Sequence, residues 1–124
     1  MSEIDALYLS ALSHFSFDNY NQALSSINSL LVKSDYTPKF LLFKTCCLLK
    51  LGCFSDAGKT LDEIHEGDRK SFEFLLLKGK TEFYAENFEA AKKHFAEAAE
   101  SVRGIDGGKE ELAVEWERKV ENEL

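Results

Sequence analysis

A repeated unit of sequence is centred on the stretch Phe43-Lys44-Thr45-Cys46-Cys47-Leu48-Leu49-Lys50-Leu51-Gly52-Cys53-Phe54-Ser55-Asp56-Ala57. It contains apolar residues at helical spacing, a break at Gly52, an aromatic residue at Phe54 and a small residue at Ala57. The same features recur 34 residues away on both sides. The clearest columns are Tyr20, Phe54 and Phe88; Ala23, Ala57 and Ala91; Ala11, Thr45 and Gly79; and Ile27, Leu61 and Phe95. This fixed period predicts stacked copies of one helix-turn-helix unit.

The pattern resembles the tetratricopeptide repeat (TPR), which has a small residue at position 8, an aromatic residue at position 17, alanine at position 20 and an apolar residue at position 24. The resemblance implies an all-α fold: a right-handed superhelical array of three repeats at residues 4–37, 38–71 and 72–105, in a single domain spanning residues 1–124. Small side chains at positions 8 and 20 would let the two helices of a repeat approach closely. An ordinary helical bundle would show helical periodicity without the 34-residue echo.

Several helix boundaries can be predicted from local residues. Thr37 is a suitable N-cap and Pro38 a suitable first helical residue, because proline has no amide hydrogen to leave unsatisfied. Gly52 is expected to end the first helix of the second repeat in a left-handed conformation. The second helix of that repeat is expected to end near His65, and the next helix to begin by Arg69 or Lys70.

Residues 109–124 are expected to form a C-terminal capping helix, after a turn at Gly104, Gly107 and Gly108. A repeat array needs a terminal helix that covers the last apolar face and presents a polar outer side. Trp116 should anchor this helix, and the expected packed face contains Leu112, Ala113, Trp116 and Val120.

Composition limits the classes of partner. With 124 residues and 44% hydrophobic residues, the chain is long enough to bury one core. A net charge of −7 argues against binding nucleic acid or an anionic membrane surface, since both require a basic face. The N-terminus lacks the pattern of a secretory signal, and no apolar run approaches the roughly 18 residues of a membrane span. We therefore expect protein partners and a cytoplasmic or nuclear location.

The sequence offers no recognisable chemistry. Cys46, Cys47 and Cys53 have no CxxC spacing and no nearby histidine pair, so they are interpreted as reduced thiols that pack as small apolar residues. There is no phosphate-binding glycine loop, nucleophile elbow or metal-spaced histidine pair. We expect no catalytic residue, no metal and no cofactor, and a protein that is not an enzyme.

The TPR resemblance also indicates a binding surface, because the first helix of each repeat lines a concave groove in this family. The residues expected to form the protein-binding groove here are Tyr8, Leu9, Leu12, Lys39, Leu42, Phe43, Cys46, Glu73, Leu76, Leu77, Lys80 and Phe83. Many chaperone-binding members hold the C-terminal carboxylate of a ligand with lysines, asparagines and an arginine. The residues at those clamp positions are Tyr8, Leu12, Phe43, Glu73 and Leu77, which cannot compensate a desolvated carboxylate.

A narrower resemblance involves the second repeat from Lys39 to Leu51, the third repeat through Asn87-Phe88-Glu89-Ala90-Ala91, and the segment Val114-Glu115-Trp116-Glu117-Arg118-Lys119-Val120-Glu121. These stretches look like the N-terminal domain of fungal suppressor-of-G-two-allele-of-skp co-chaperones. That resemblance implies binding to the Skp adaptor of SCF ubiquitin ligases, a role in kinetochore assembly, and homodimerisation. The family engages the chaperone Hsp-ninety through a CS domain, which is absent from these 124 residues, so the chain is expected to be one domain of a longer protein.

Two functional hypotheses follow. In the first, the chain is the adaptor-binding domain of a co-chaperone. In the second, it is an assembly module whose apolar surface is buried in a homodimer or a larger complex.

Overall fold

The structure is a computed structural model that describes residues 2–124, and these residues form seven α-helices and no β-strand. The predicted all-α fold is confirmed. Two compact units can be distinguished, residues 1–64 and residues 65–124. None of the helices in the described part of the chain is long and apolar enough to cross a membrane.

The first unit contains α1 (Glu3–Ser16), α2 (Tyr20–Lys33), α3 (Pro38–Lys50) and α4 (Phe54–Asp62). Each helix packs against the next one along the chain. This is the expected arrangement of two consecutive helical hairpins, because short connections make neighbouring helices antiparallel. The most deeply buried apolar residues of this unit are Ala11, Ala23, Ile27, Leu30, Leu31, Leu41, Cys47, Ala57, Leu61 and Ile64.

The second unit contains a short 3-10 helix (Glu66–Asp68), α5 (Phe72–Tyr84), α6 (Phe88–Ser101) and α7 (Gly107–Glu123). Helix α6 packs against both α5 and α7, and α5 also contacts α7. The residues with no exposed surface in this unit are Ala91, Phe95, Ala98, Ala113 and Val120. Ala113 lies 34 residues after Gly79, so α7 continues the column of small residues found in α1, α3 and α5.

The turn inside each repeat has the same backbone geometry. Asp18, Gly52 and Glu86, which are spaced by 34 residues, are all left-handed, with φ angles of 60°, 77° and 64°. In each case the next amide donates a hydrogen bond of 2.8 Å to a carbonyl five residues earlier, which is the Schellman pattern. The left-handed stop predicted at Gly52 is confirmed, and Asp18 and Glu86 adopt the same conformation although they carry side chains.

Three helices begin with a side-chain cap. The amides of Asp5, Phe74 and Lys109 each donate to the side-chain oxygen of the residue three positions earlier, namely Ser2, Ser71 and Asp106, at 3.1 Å. Because Ser71 caps α5, that helix begins at Phe72 and not at Arg69 or Lys70 as the sequence suggested. Pro38 is the first residue of α3, as predicted, but the Thr37 hydroxyl donates to the Ser34 carbonyl instead of capping the helix.

The expected end of the second helix in the second repeat is also wrong. Helix α4 ends at Asp62, and His65 lies beyond it. The His65 Nδ1 atom accepts a hydrogen bond of 3.2 Å from the Gly67 amide, so this side chain caps the 3-10 helix. A role for His65 at the end of the helix dipole does not fit this position.

A close contact between α5 and α6 depends on a glycine. A Cβ atom built on Gly79 would lie 2.6 Å from the Phe95 ring, where no real Cβ atom is tolerated. Phe95 itself has no exposed surface. The first two repeats have Ala11 and Thr45 in the column of Gly79 but smaller aliphatic residues in the column of Phe95. The third repeat therefore accommodates a larger side chain at one position because the opposite position has none.

Candidate protein-binding surface

The predicted groove residues fall in both units, seven in the first and five in the second. In the first unit they are carried by α1 and α3, and in the second by α5.

In the first unit, α1 and α3 are joined by a cluster of aromatic rings. The Tyr8 ring lies 5.4 Å from Phe40 and 6.1 Å from Phe43, measured between centroids. Phe15 lies edge-on to Phe43 at 5.5 Å and to Tyr20 at 5.3 Å. Edge-to-face contacts at these distances add to the stability gained from burial, so the cluster holds the two helices in a defined arrangement.

Other predicted groove residues of this unit remain accessible. Leu9 and Leu12 expose 51% and 37% of their surface, while Leu42 and Cys46 are half-buried. The exposed Lys39 places its Nζ atom 4.5 Å from the centroid of the Tyr8 ring. This is a cation–π distance, so the ammonium group is held over the aromatic cluster.

The aromatic cluster continues into the turn between α1 and α2. The Tyr20 hydroxyl donates a hydrogen bond of 2.8 Å to the Asp18 carboxylate. This bond, and to a lesser extent burial, raises the pKa of Tyr20 above its ordinary value. The bond links the left-handed residue of the turn to the first residue of α2.

In the second unit, the predicted groove residues differ widely in exposure. Leu76 and Leu77 are only 8% and 7% exposed, so little of either side chain is available to a partner. Glu73 is exposed, and its carboxylate accepts a hydrogen bond of 3.1 Å from Lys109 Nζ. Its own backbone amide, followed by Lys109, lowers the pKa of Glu73 despite partial burial. Glu73 is therefore a stable negative charge at the start of α5.

Trp116 of α7 is packed into the second unit, as the prediction of a capping helix requires. Its indole stacks on Phe95 with a centroid distance of 5.4 Å and lies edge-on to Phe83 at 5.6 Å and Tyr84 at 6.3 Å. Leu112, which was expected on the same packed face, is 39% exposed. The anchor of α7 is thus Trp116, supported by the small Ala113 and by Val120.

Two lysines approach the same indole. The Nζ atoms of Lys80 in α5 and Lys119 in α7 lie 5.1 Å and 4.3 Å from its centroid. The sequence analysis placed Lys80 in the groove but missed Lys119 and Tyr84. The spacing of three residues between Trp116 and Lys119 was a usable signal, since such residues are neighbours on a helix.

Within residues 2–124, no group of three or more histidine, cysteine, aspartate or glutamate residues is arranged to hold a metal ion. Cys46, Cys47 and Cys53 are free thiols. Cys47 is fully buried, and this burial together with the neighbouring Cys46 raises the pKa of its thiol to about 12. Such a thiol is chemically inert in the folded protein.

Comparison with solved structures shows which fold these helices form. The chain superposes on the crystal structure of the Sgt2 TPR domain from Aspergillus fumigatus with a TM-score of 0.81 and 17% sequence identity. The match covers 98% of this chain and 81% of that one. The chain has the fold of a TPR domain. No protein-family model and no curated protein matches the sequence.

The TPR fold confirms the interpretation of the 34-residue period as a helical repeat. It also allows the clamp positions to be compared with their surroundings in this TPR domain. In the first unit, Tyr8 and Phe43 belong to the aromatic cluster and Leu12 is an exposed apolar residue. In the second unit, Glu73 is negatively charged and Leu77 is buried. These five side chains include no cation and no amide.

Proposed function

We propose that this TPR domain is the protein-interaction domain of a co-chaperone related to the suppressor-of-G-two-allele-of-skp family. In this proposal it binds the Skp adaptor of SCF ubiquitin ligases and supports the assembly of kinetochore complexes, without a carboxylate clamp. Its work would then be done in the cytoplasm and nucleus. Support comes from the sequence resemblance in the second and third repeats and around Trp116, together with a fold built for binding other proteins.

The observation that carries the proposal is the apolar and aromatic character of the α1 and α3 surface. Leu9 and Leu12 are exposed there, next to the half-buried rings of Tyr8 and Phe43. Exposed leucines beside aromatic rings favour a partner that presents an apolar helix or strand, because both sides then lose water-exposed apolar area. A ligand's terminal carboxylate would lose its hydration at this surface without gaining a hydrogen-bond donor from these side chains.

Charge supports the same conclusion in the second unit. The Glu73 carboxylate occupies a clamp position and remains ionised at neutral pH because its pKa is lowered. It would repel a ligand carboxylate. Engagement of Hsp-ninety is therefore assigned to a CS domain outside this chain, in keeping with the family resemblance.

The test uses charged substitutions at exposed positions, so that folding is preserved. Leu9→Asp and Leu12→Asp should each weaken binding of a purified Skp-type adaptor by at least about thirtyfold if they lie at the centre of the interface. The matched control is Val32→Asp, which alters an equally apolar residue of α2 that is 69% exposed. Phe43→Asp and Leu77→Asp are poorer probes, because Phe43 is part of the aromatic cluster and Leu77 is buried.

Isothermal titration calorimetry gives the affinities, and circular dichroism confirms the fold of each variant. Wild-type affinity in folded Leu9→Asp and Leu12→Asp proteins would contradict the proposal. So would tight binding of acidic C-terminal chaperone peptides by the wild type, because that would reveal a functional carboxylate clamp.

The second candidate function is homodimerisation through the same surface, which the exposure of Leu9 and Leu12 also favours. Sedimentation velocity separates the two functions. If the wild type is a dimer that Leu12→Asp converts to a monomer, self-association is the use of this surface. A wild-type monomer that binds the adaptor excludes that alternative.

A further inference from the structure

We propose that the second unit has its own recognition point, at which Trp116, Lys80 and Lys119 bind a carboxylate from an acidic peptide segment of a partner protein. This site, here called the lysine-indole site, is distinct from the apolar surface of the first unit. The proposal does not depend on the identity of the partner suggested above.

The aromatic part of the site is rigid. Phe95 stacks on the Trp116 indole with only 23° between the ring planes, and Phe83 meets it edge-on. Phe95 is completely buried, so the indole rests on the core of the second unit. Trp116 nevertheless remains half-buried and not fully enclosed. A ligand would therefore meet a fixed aromatic surface and would not have to order it.

The positive charge of the site comes from two helices. Lys80 Nζ of α5 and Lys119 Nζ of α7 lie 5.1 Å and 4.3 Å from the indole centroid, within the range of cation–π attraction. Two ammonium groups held near one ring repel each other. A carboxylate placed between them would relieve that repulsion and could accept hydrogen bonds from both.

The nearby carboxylates do not neutralise Lys119. In this unit Glu121 pairs with Lys92, Glu110 with Arg103, and Glu73 with Lys109. Lys119 forms no ion pair in the part of the chain that the structure describes. A positive site on a protein with a net charge of −7 would stand out electrostatically to an acidic segment.

The neighbourhood of the site favours a peptide over a free inorganic anion. Tyr84 lies 6.3 Å from the indole and exposes 45% of its surface. An apolar or aromatic residue next to the ligand's carboxylate could pack on Tyr84, and this contact would be lost with phosphate or chloride. The best-matched ligand is an acidic peptide segment that also contains an aromatic residue.

The first experiment uses iodide as a minimal anion, because the chain contains a single tryptophan and its fluorescence reports this site alone. Iodide should quench Trp116 more efficiently than caesium by at least about twofold at low salt, despite the negative net charge, because the lysines concentrate anions locally. Lys119→Met should abolish this preference, Lys119→Arg should restore it, and the matched control Lys93→Met should leave it intact.

The second experiment titrates the wild type with acetyl-Asp-Glu-Phe-Asp-Glu-amide, followed by Trp116 fluorescence. The blocked ends remove any role for a terminal carboxylate. Binding should weaken by roughly two- to fivefold for Lys119→Met or Lys80→Met, as expected for partly exposed ion pairs, and should be lost when asparagine and glutamine replace the acids.

Three outcomes would overturn the proposal. Equal quenching by iodide and caesium in the wild type would show that the site does not concentrate anions. Equal binding of the neutral peptide would show that only apolar packing is involved. A preference for iodide without any binding of the acidic peptide would reduce the site to a small-anion site. Thermal melts of each variant establish that the variants remain folded.

Discussion

The contact between Gly79 and Phe95 allows a sharp prediction, because two known effects oppose each other at this position. Replacing a glycine in the interior of a helix by alanine normally stabilises a protein by about 1 kcal/mol. At Gly79, however, the new Cβ would lie 2.6 Å, 2.7 Å and 3.0 Å from three carbon atoms of the Phe95 ring. Ordinary contact between carbon atoms is about 3.5–4.0 Å, so the ring would have to move by about 1 Å.

Phe95 has little freedom to make that movement. It is fully buried, and its ring is stacked on Trp116. Overpacking of this kind destabilises a core by about 1–3 kcal/mol, which exceeds the gain in helix propensity. We therefore expect Gly79→Ala to lower the free energy of unfolding by about 1–2 kcal/mol.

Urea denaturation followed by circular dichroism measures this change, and Trp116 fluorescence should shift because the stacked ring is displaced. The matched control is Gly107→Ala at the start of α7, where an added Cβ meets no atom within 4 Å and no loss of stability is expected. Adding Phe95→Leu, which imitates Leu61 of the second repeat, should partly rescue Gly79→Ala. A coupling free energy of at least about 0.5 kcal/mol is expected from this double-mutant cycle. A Gly79→Ala protein as stable as the wild type would refute the packing argument.

Three further predictions concern stability. Ala57→Leu should destabilise the first unit by about 1–3 kcal/mol because Ala57 is fully buried between helices, and an unchanged thermal midpoint would contradict this. Trp116→Ala should cost about 3–5 kcal/mol through loss of the aromatic anchor of α7, whereas a native wild-type emission at the solvated wavelength would show that α7 is undocked. Because the folded state lowers the pKa of Glu73, its ionised form stabilises the protein above the ordinary glutamate pKa, and this contribution disappears as the pH falls through the folded value. Glu73→Gln should therefore be less stable than the wild type at pH 7 but equal to it below about pH 3, and a difference that is independent of pH would exclude this explanation.

The fold could be predicted from the sequence because the 34-residue period is a property of side-chain columns, which do not depend on tertiary detail. Helix boundaries were less predictable. Arg69 and Lys70 are good helix formers, yet α5 starts at Phe72 because the Ser71 hydroxyl accepts a hydrogen bond from the Phe74 amide. A local hydrogen bond thus outweighed helix propensity. The Gly79 and Phe95 columns were both visible in the sequence, but only the structure shows that the two residues contact each other.

The candidate binding residues could be predicted less fully. Repeat register indicates which way a side chain points from its own helix, but it does not show what lies against that side chain. Leu76 and Leu77 therefore fell within the expected groove although both are buried, and the cation–π contact between Lys80 and Trp116 joins helices that are far apart in sequence. The apolar nature of the five clamp positions was evident from the residues themselves.

The burial of Cys47 has a practical consequence for studying how the first unit opens. Alkylating reagents attack the thiolate, and this thiol is both fully buried and shifted to a pKa of about 12. In a Cys46→Ala, Cys53→Ala background, native molecules should be inert at pH 8, and labelling should proceed only through molecules in which α3 has separated from its neighbours. The labelling rate divided by that of an unfolded thiol then gives the population of open molecules. All three cysteines of the sequence lie in the first unit, so the measurement follows its opening without any signal from the second.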